Sequence, residues 1–169
     1  MQNKKNTGEG IAPARKPVRR NKTSDKQVTK KNVARKVYNT FKLPIQISFL
    51  GGLNEIGKNM TLYEYDGDMF IVDCGLAFPE SEMLGVDLVI PDFTYVQRNA
   101  DKIKGILITH GHEDHIGGLA YLLKVINIPV YGTRLTIGLI EGKLREHGIL
   151  EKCKLNVINP GDRITLGKF

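Results

Sequence analysis

The sequence predicts a layered α/β body with a mixed β-sheet, preceded by a disordered basic arm. Three observations predict it: strand pairs joined by tight turns at the start of the body, strand–helix alternation after them, and a change of charge near residue 42. The 169 residues are 41% hydrophobic and 25% charged, which suits one globular domain with a single core and excludes collagen-like, coiled-coil and wholly disordered classes. No apolar run approaches the roughly 20 residues that span a bilayer, so neither an integral membrane protein nor a membrane partner is expected.

Residues 1–42 hold thirteen Lys or Arg against Glu9 and Asp25, a net +11. Residues 43–169 hold twelve against sixteen acids, a net −4, so the overall +7 describes the arm and not the body. Residues 1–36 contain no Phe, Tyr or Trp and carry Pro13 and Pro17. Such a segment buries too little apolar surface to offset the entropy of ordering, and disorder is expected. It has neither the apolar core of a secretory signal nor the wide apolar face of a transit peptide. Arg15, Lys16, Arg19 and Arg20 form its densest basic run. That run suits a phosphate backbone, whose counterions it would release, and equally a solvated tail.

Order is expected from Leu43 onward. Ile45, Ile47 and Phe49 alternate with Gln46 and Ser48 as a half-buried strand would, and Gly51-Gly52 marks a turn. Leu62, Tyr63 and Tyr65 make a second strand; Asp66-Gly67 is a hairpin turn, and Met69–Val72 returns. A long loop runs through Phe78-Pro79 to Ile90-Pro91-Asp92, and Ile106–Ile108 is a short buried strand. Leu119–Ile126 reads as a helix, Pro129–Tyr131 as a strand, and Leu135–Glu146 as a second helix stopped by His147-Gly148. Leu155–Ile158 begins another strand, and Gly161–Ile164 with Leu166-Gly167 reads as a turn and a strand.

Three of the four histidines fall within six residues, in Thr109-His110-Gly111-His112-Glu113-Asp114-His115. A buried strand precedes the run and a helix follows, so the cluster sits at the C-terminal end of a strand, where α/β sheets place their sites. Alternating His110 and His112 can converge on one cation, while Asp114 and His115, at the turn into the helix, can face a second. Imidazole with carboxylate suits zinc, or manganese. Two such ions suit phosphoryl chemistry, because they acidify water and stabilise charge on phosphate. Glu113 is expected to be solvated and His147 to end its helix. Cys74 and Cys153 form neither a disulfide framework nor a metal clip; they read as buried apolar residues in a reducing, cytoplasmic setting.

The run His110-x-His112-x-Asp114-His115 resembles the signature of the metallo-β-lactamase fold hydrolases. Phe49–Asn59, Asp73–Pro79, Leu84–Asp87, Ile90–Asp92, His110–Gly118 and Ile128–Gly132 together resemble bacterial ribonuclease J, over residues 43–169. That resemblance implies the N-terminal half of an αββα sandwich. It implies two divalent ions, zinc first and manganese second, with His110 and His112 on one and the catalytic pair Asp114 and His115 on the other. Asp73 would orient a ligand histidine. The carbonyls of Leu84 and Val86 would hold an accessory calcium or magnesium.

The activity implied is 5′-to-3′ exonuclease and endonuclease cleavage of RNA in its maturation and decay, by a homo-oligomer (dimer or tetramer) or with a related subunit. The resemblance further implies a histidine in a His-Ser-x-Pro-Asp block, a bridging aspartate and a late histidine beyond Phe169. The chain is therefore read as a fragment with two protein ligands per metal and one sheet face bare, expected to be unstable and nearly inactive alone.

Other readings stand beside this one. Another substrate of the same fold, a thioester, a lactone or a tRNA precursor, fits the signature equally. A non-catalytic RNA-binding or docking module would explain the arm. Gly52-x-x-x-x-Gly57-Lys58-Asn59 lies one residue from a phosphate-binding P-loop, but the β-rich Met60–Tyr65 follows where a helix is required.

Overall fold

The computed structural model describes residues 44–169; the basic arm, with Arg15, Lys16, Arg19 and Arg20, lies outside the described residues. Strands β1 (Gln46–Gly51), β2 (Met60–Tyr65) and β3 (Asp68–Val72) form an antiparallel meander. Asp66 and Gly67 turn β2 into β3 with φ of 49° and 83°, the pair of positive φ values that a tight two-residue hairpin demands. The chain then loops to helix α1 (Thr94–Arg98) and strand β4 (Ile103–Leu107), which pairs parallel to β3. One-turn helix α2 (Glu113–Ile116) and helix α3 (Leu119–Val125) lead to strand β5 (Val130–Gly132). Helix α4 (Arg134–Glu146) leads to strand β6 (Leu155–Val157). The six strands lie side by side in sequence order, the last four parallel. The expected mixed sheet and strand–helix alternation are observed.

Helix α4 shows why the later elements are legible in the sequence. Thr136, Ile137, Ile140 and Leu144 recur at helical spacing and are buried. Gly148, at φ 67°, ends the helix, and the Ile149 N–H donates to the Leu144 carbonyl at 3.0 Å. Helix α1 is not foreseen by the sequence pattern, since Val96 is its only buried residue and no amphipathic period marks it. The strand expected near Leu166 does not form. Its segment turns at Pro160-Gly161, and Phe169 packs edge-on against Phe70 at 4.8 Å.

The two faces of the sheet differ. Leu62, Ile71, Ile106 and Val130 are successive cross-strand partners, hence on one face, and all are buried in the core shared with α3 and α4. Each contributes about 1.5–3 kcal/mol by leaving water. The other face carries Ile47, Tyr63 and Phe70 in one partner row, with Tyr63 and Phe70 stacked at 4.8 Å. Here the expectation of a half-buried first strand needs correction: β1 forms, but Ile45, Ile47 and Phe49 are each more than half exposed. They alternate as predicted, toward a face that no described helix covers.

Candidate metal centre

Everything that builds the centre lies at one end of β3 and β4. Asp73 directly follows β3 in a left-handed conformation, φ 62°, uncommon for a residue with a side chain. Its N–H donates to the Leu107 carbonyl at 2.9 Å, which ties the turn to the end of β4. The carboxylate is buried. It accepts from the Thr109 N–H and the Thr109 hydroxyl, each at 2.8 Å, and from His115 Nδ1 at 2.8 Å.

These bonds decide two tautomers. A carboxylate only accepts, so His115 carries a proton on Nδ1, and in the neutral ring the lone pair is on Nε2. Thr109 has a single hydroxyl proton, which Asp73 takes. The hydroxyl therefore accepts from His110 Nδ1 at 3.0 Å, and His110 too keeps a lone pair on Nε2.

The freed atoms face the other two predicted ligands. His110 Nε2 lies 3.2 Å from His112 Nδ1, and His115 Nε2 lies 3.2 Å from Asp114 Oδ2. Two donors bound to one tetrahedral zinc at roughly 2.0–2.1 Å stand about 3.3–3.4 Å apart, so both pairs suit such an ion. The His110 and His115 rings lie 4.1 Å apart between centroids, which sets the pairs side by side. Among the described residues no three His, Cys, Asp or Glu side chains are grouped to hold one ion; the donors come two by two.

Backbone contacts hold the second pair. The Cys74 N–H donates to the His115 carbonyl at 2.8 Å and the Leu76 N–H to that of Glu113 at 3.0 Å. The Asn59 N–H reaches the Asp114 carbonyl at 3.0 Å, and the Gly75 N–H reaches the Asn59 carbonyl at 3.0 Å. Buried Ile116 anchors the single turn of α2.

His110, His112, Asp114, His115 and Asp73 are thus brought together. Leu84 and Val86 lie instead on an exposed turn about Gly85, φ 78°. Glu113 is not simply solvated: Lys143 of α4 forms an ion pair with it. His147 caps α4 and accepts from Lys124 Nζ at 3.0 Å. Lys58 is no phosphate-loop lysine: β2 follows it, and its Nζ pairs with Glu55 at 2.9 Å. That bond and the Gly52 N–H hold the Glu55 carboxyl below its usual range. A cleft of about 620 Å³ opens beside Asp114, its walls including Ile56, Lys58, Phe78 and Met83.

Two contributors have no role assigned from sequence, Thr109 and Asn59. The only signal for Thr109 is its place before His110. Asn59 lies 55 residues from Asp114 in the chain, and no local period reaches that far.

A family profile described as the metallo-beta-lactamase superfamily matches residues 53–163. The chain belongs to the metallo-beta-lactamase superfamily. Membership implies divalent metal ions, and the two donor pairs are groups that fit them. The chain is 50% identical over 131 residues to Ribonuclease J of Synechocystis sp., covering 77% of this chain and 20% of that protein. It is 48% identical over 131 residues to Ribonuclease J of Thermus thermophilus, covering 74% and 23%. The chain therefore spans about a fifth of the length of the curated relatives it matches. Among solved structures it resembles the metallo-beta-lactamase fold protein YhfI from Bacillus subtilis. There the TM-score is 0.48 and the identity 22%, covering 74% of this chain and 50% of that one. No described helix is long and apolar enough to cross a membrane.

Both cysteines are free. Burial, with a smaller push from the Asp73 carboxylate, raises the Cys74 thiol far above its ordinary value; burial also raises half-buried Cys153. Cys74 is expected to resist iodoacetamide at pH 8 until the chain unfolds, while Cys153 is labelled first. Peptide mass spectrometry after a timed pulse checks this, and early labelling of Cys74 would contradict the buried position.

Proposed function

We propose that this chain carries the metal-binding half-site of a ribonuclease that hydrolyses phosphodiester bonds in RNA, as a 5′-to-3′ exonuclease and endonuclease. The observation that supports it most is the pair of donor sets, each with atoms 3.2 Å apart, oriented through the single Asp73 carboxylate. His110 and His112 hold one divalent ion and Asp114 with His115 the other; zinc suits these donors best, with manganese second. When bound, such ions acidify water and offset charge on the attacked phosphate.

The chain's own residues do the rest. Asp73 and Thr109 engage Nδ1 of His115 and His110, which leaves Nε2 as the lone-pair nitrogen of each neutral ring, directed at its partner donor. Lys143 holds Glu113, next to Asp114, against α4. Leu139 of α4 lies against Gly111, where an added Cβ would meet it at 2.4 Å, and so restrains the loop between the two histidines.

RNA as the substrate rests on the likeness to the two Ribonuclease J proteins. The basic run Arg15, Lys16, Arg19 and Arg20 is the natural tether for it. A cytoplasmic enzyme, assembled as a dimer or tetramer or with a related subunit, belongs to the same reading. So does an accessory calcium or magnesium at Leu84 and Val86.

The test is made on the native gene product. Cleavage of single-stranded RNA is expected to stop with a chelator and return with zinc or manganese. His110→Ala with His112→Ala should remove at least about a hundredfold of the rate while leaving RNA retention on filters intact. Turnover of a thioester without RNA cleavage, or a double variant as active as the parent, would sink the proposal.

A further inference from the structure

We infer that Asn59 is a positioning residue for the second donor pair, through a side-chain amide donor that selects the conformation of Asp114. This rests on the reading above, in which Asp114 and His115 hold a metal. Three acceptors surround Asn59 Nδ2: the Asp114 carbonyl oxygen at 3.1 Å, Asp114 Oδ2 at 3.2 Å and His115 Nε2 at 3.3 Å. His115 Nε2 is an acceptor because Asp73 holds the proton on Nδ1. The orientation of the amide follows, since its oxygen in the same place would face lone pairs only.

The surroundings hold the side chain in place. Asn59 Oδ1 points at Gly52, where a Cβ would come within 2.5 Å of it, and Gly52 at φ 82° leaves the room. Main-chain bonds on both sides of Asn59, to Asp114 and from Gly75, hold its Cα against the loop. The amide thereby ties one carboxylate oxygen to the same residue's carbonyl, and Asp114 is held in the rotamer that sets Oδ2 against His115 Nε2. When His115 Nε2 gives its lone pair to a cation, the amide keeps both Asp114 oxygens. Without the amide, Asp114 turns freely toward water, and the second pair must be ordered by the ion itself.

The experiment is a zinc titration of the chain followed by the ring nitrogen resonances of His110, His112 and His115, with Asn59→Leu as a variant of similar volume and Asn59→Ala as a smaller one. The expected result is a His115 transition displaced to roughly 10–100-fold higher zinc in the variants, the loss typical of a residue supporting a ligand, with the His110 and His112 transition in place. A His115 transition unchanged in both variants would overturn the inference. So would equal displacement of all three histidines, which marks general loosening. The unsubstituted chain supplies a check that needs no variant: the Asn59 side-chain amide protons are expected to shift on the same zinc step as His115, and their indifference would also overturn it. If no histidine of the unsubstituted chain responds to zinc, the metal-site reading itself fails, a separate result.

Discussion

Asp73→Ala is expected to weaken zinc binding by roughly 10–100-fold and to destabilise the chain at the same time. The carboxylate takes three hydrogen bonds at 2.8 Å in a buried position, and two of the donors, the Thr109 hydroxyl and His115 Nδ1, set the tautomers of the His110 and His115 rings. Alanine leaves those donors without an acceptor, at about 1–3 kcal/mol for each buried group that water does not reach. It also lets both rings move their proton onto Nε2, which closes the lone pair to a cation. An asparagine side chain would keep one acceptor oxygen and tolerate the left-handed φ, so Asp73→Asn should fall between alanine and the parent. Zinc affinity by competition with a chromophoric chelator, read beside urea unfolding, separates the two effects. Affinity within about twofold of the parent in the alanine variant would show that the orientation is set elsewhere.

The second large effect concerns a residue with no functional group. At Gly75 an added Cβ would lie 1.6 Å from the Asp114 carbonyl oxygen and 2.8 Å from the His115 nitrogen. Both are backbone atoms, fixed by the ladder that joins Asn59, Cys74–Leu76 and Glu113–His115, so no rotamer change relieves the overlap. Gly75→Ala should therefore cost about 3 kcal/mol or more, the upper end of overpacking, and spread the second donor pair apart. Gly138 supplies the contrast: it lies in α4 with nothing within 4 Å of a Cβ, and Gly138→Ala should stabilise the chain by about 0.8–1 kcal/mol through helix propensity. Urea midpoints of the two variants are expected to move in opposite directions. A Gly75→Ala chain as stable as the parent would mean that the two segments do not approach so closely.

The elements with a strong local period are legible along the chain: the hairpin at Asp66-Gly67, helix α4 from its apolar spacing and its stop at Gly148, and the strand leading into the histidine run. Helix α1 is not, because only Val96 of its five residues enters the core. The exposure of Ile47 and Phe49 is not either. Alternation tells which residues of a strand share a face, but not which face the helices will cover.

The sequence alone determined the order of the strands β1 to β6 and of helices α3 and α4, the place of the histidine run after a strand, and the spacing that puts His110 with His112 and Asp114 with His115. All of these rest on neighbours within a few residues, where backbone periodicity governs direction. Only the tertiary structure decided that Asp73 serves Thr109 and His115 together, that Asn59 closes on Asp114, that Gly75 must be bare, and that Glu113 is held by Lys143. Those pairings join residues 30 to 55 positions apart, brought together when β3 and β4 pair in parallel and α2 and α4 follow. A periodic pattern carries no information over that distance, because the partner is chosen by sheet register and packing and not by the chain's own repeat.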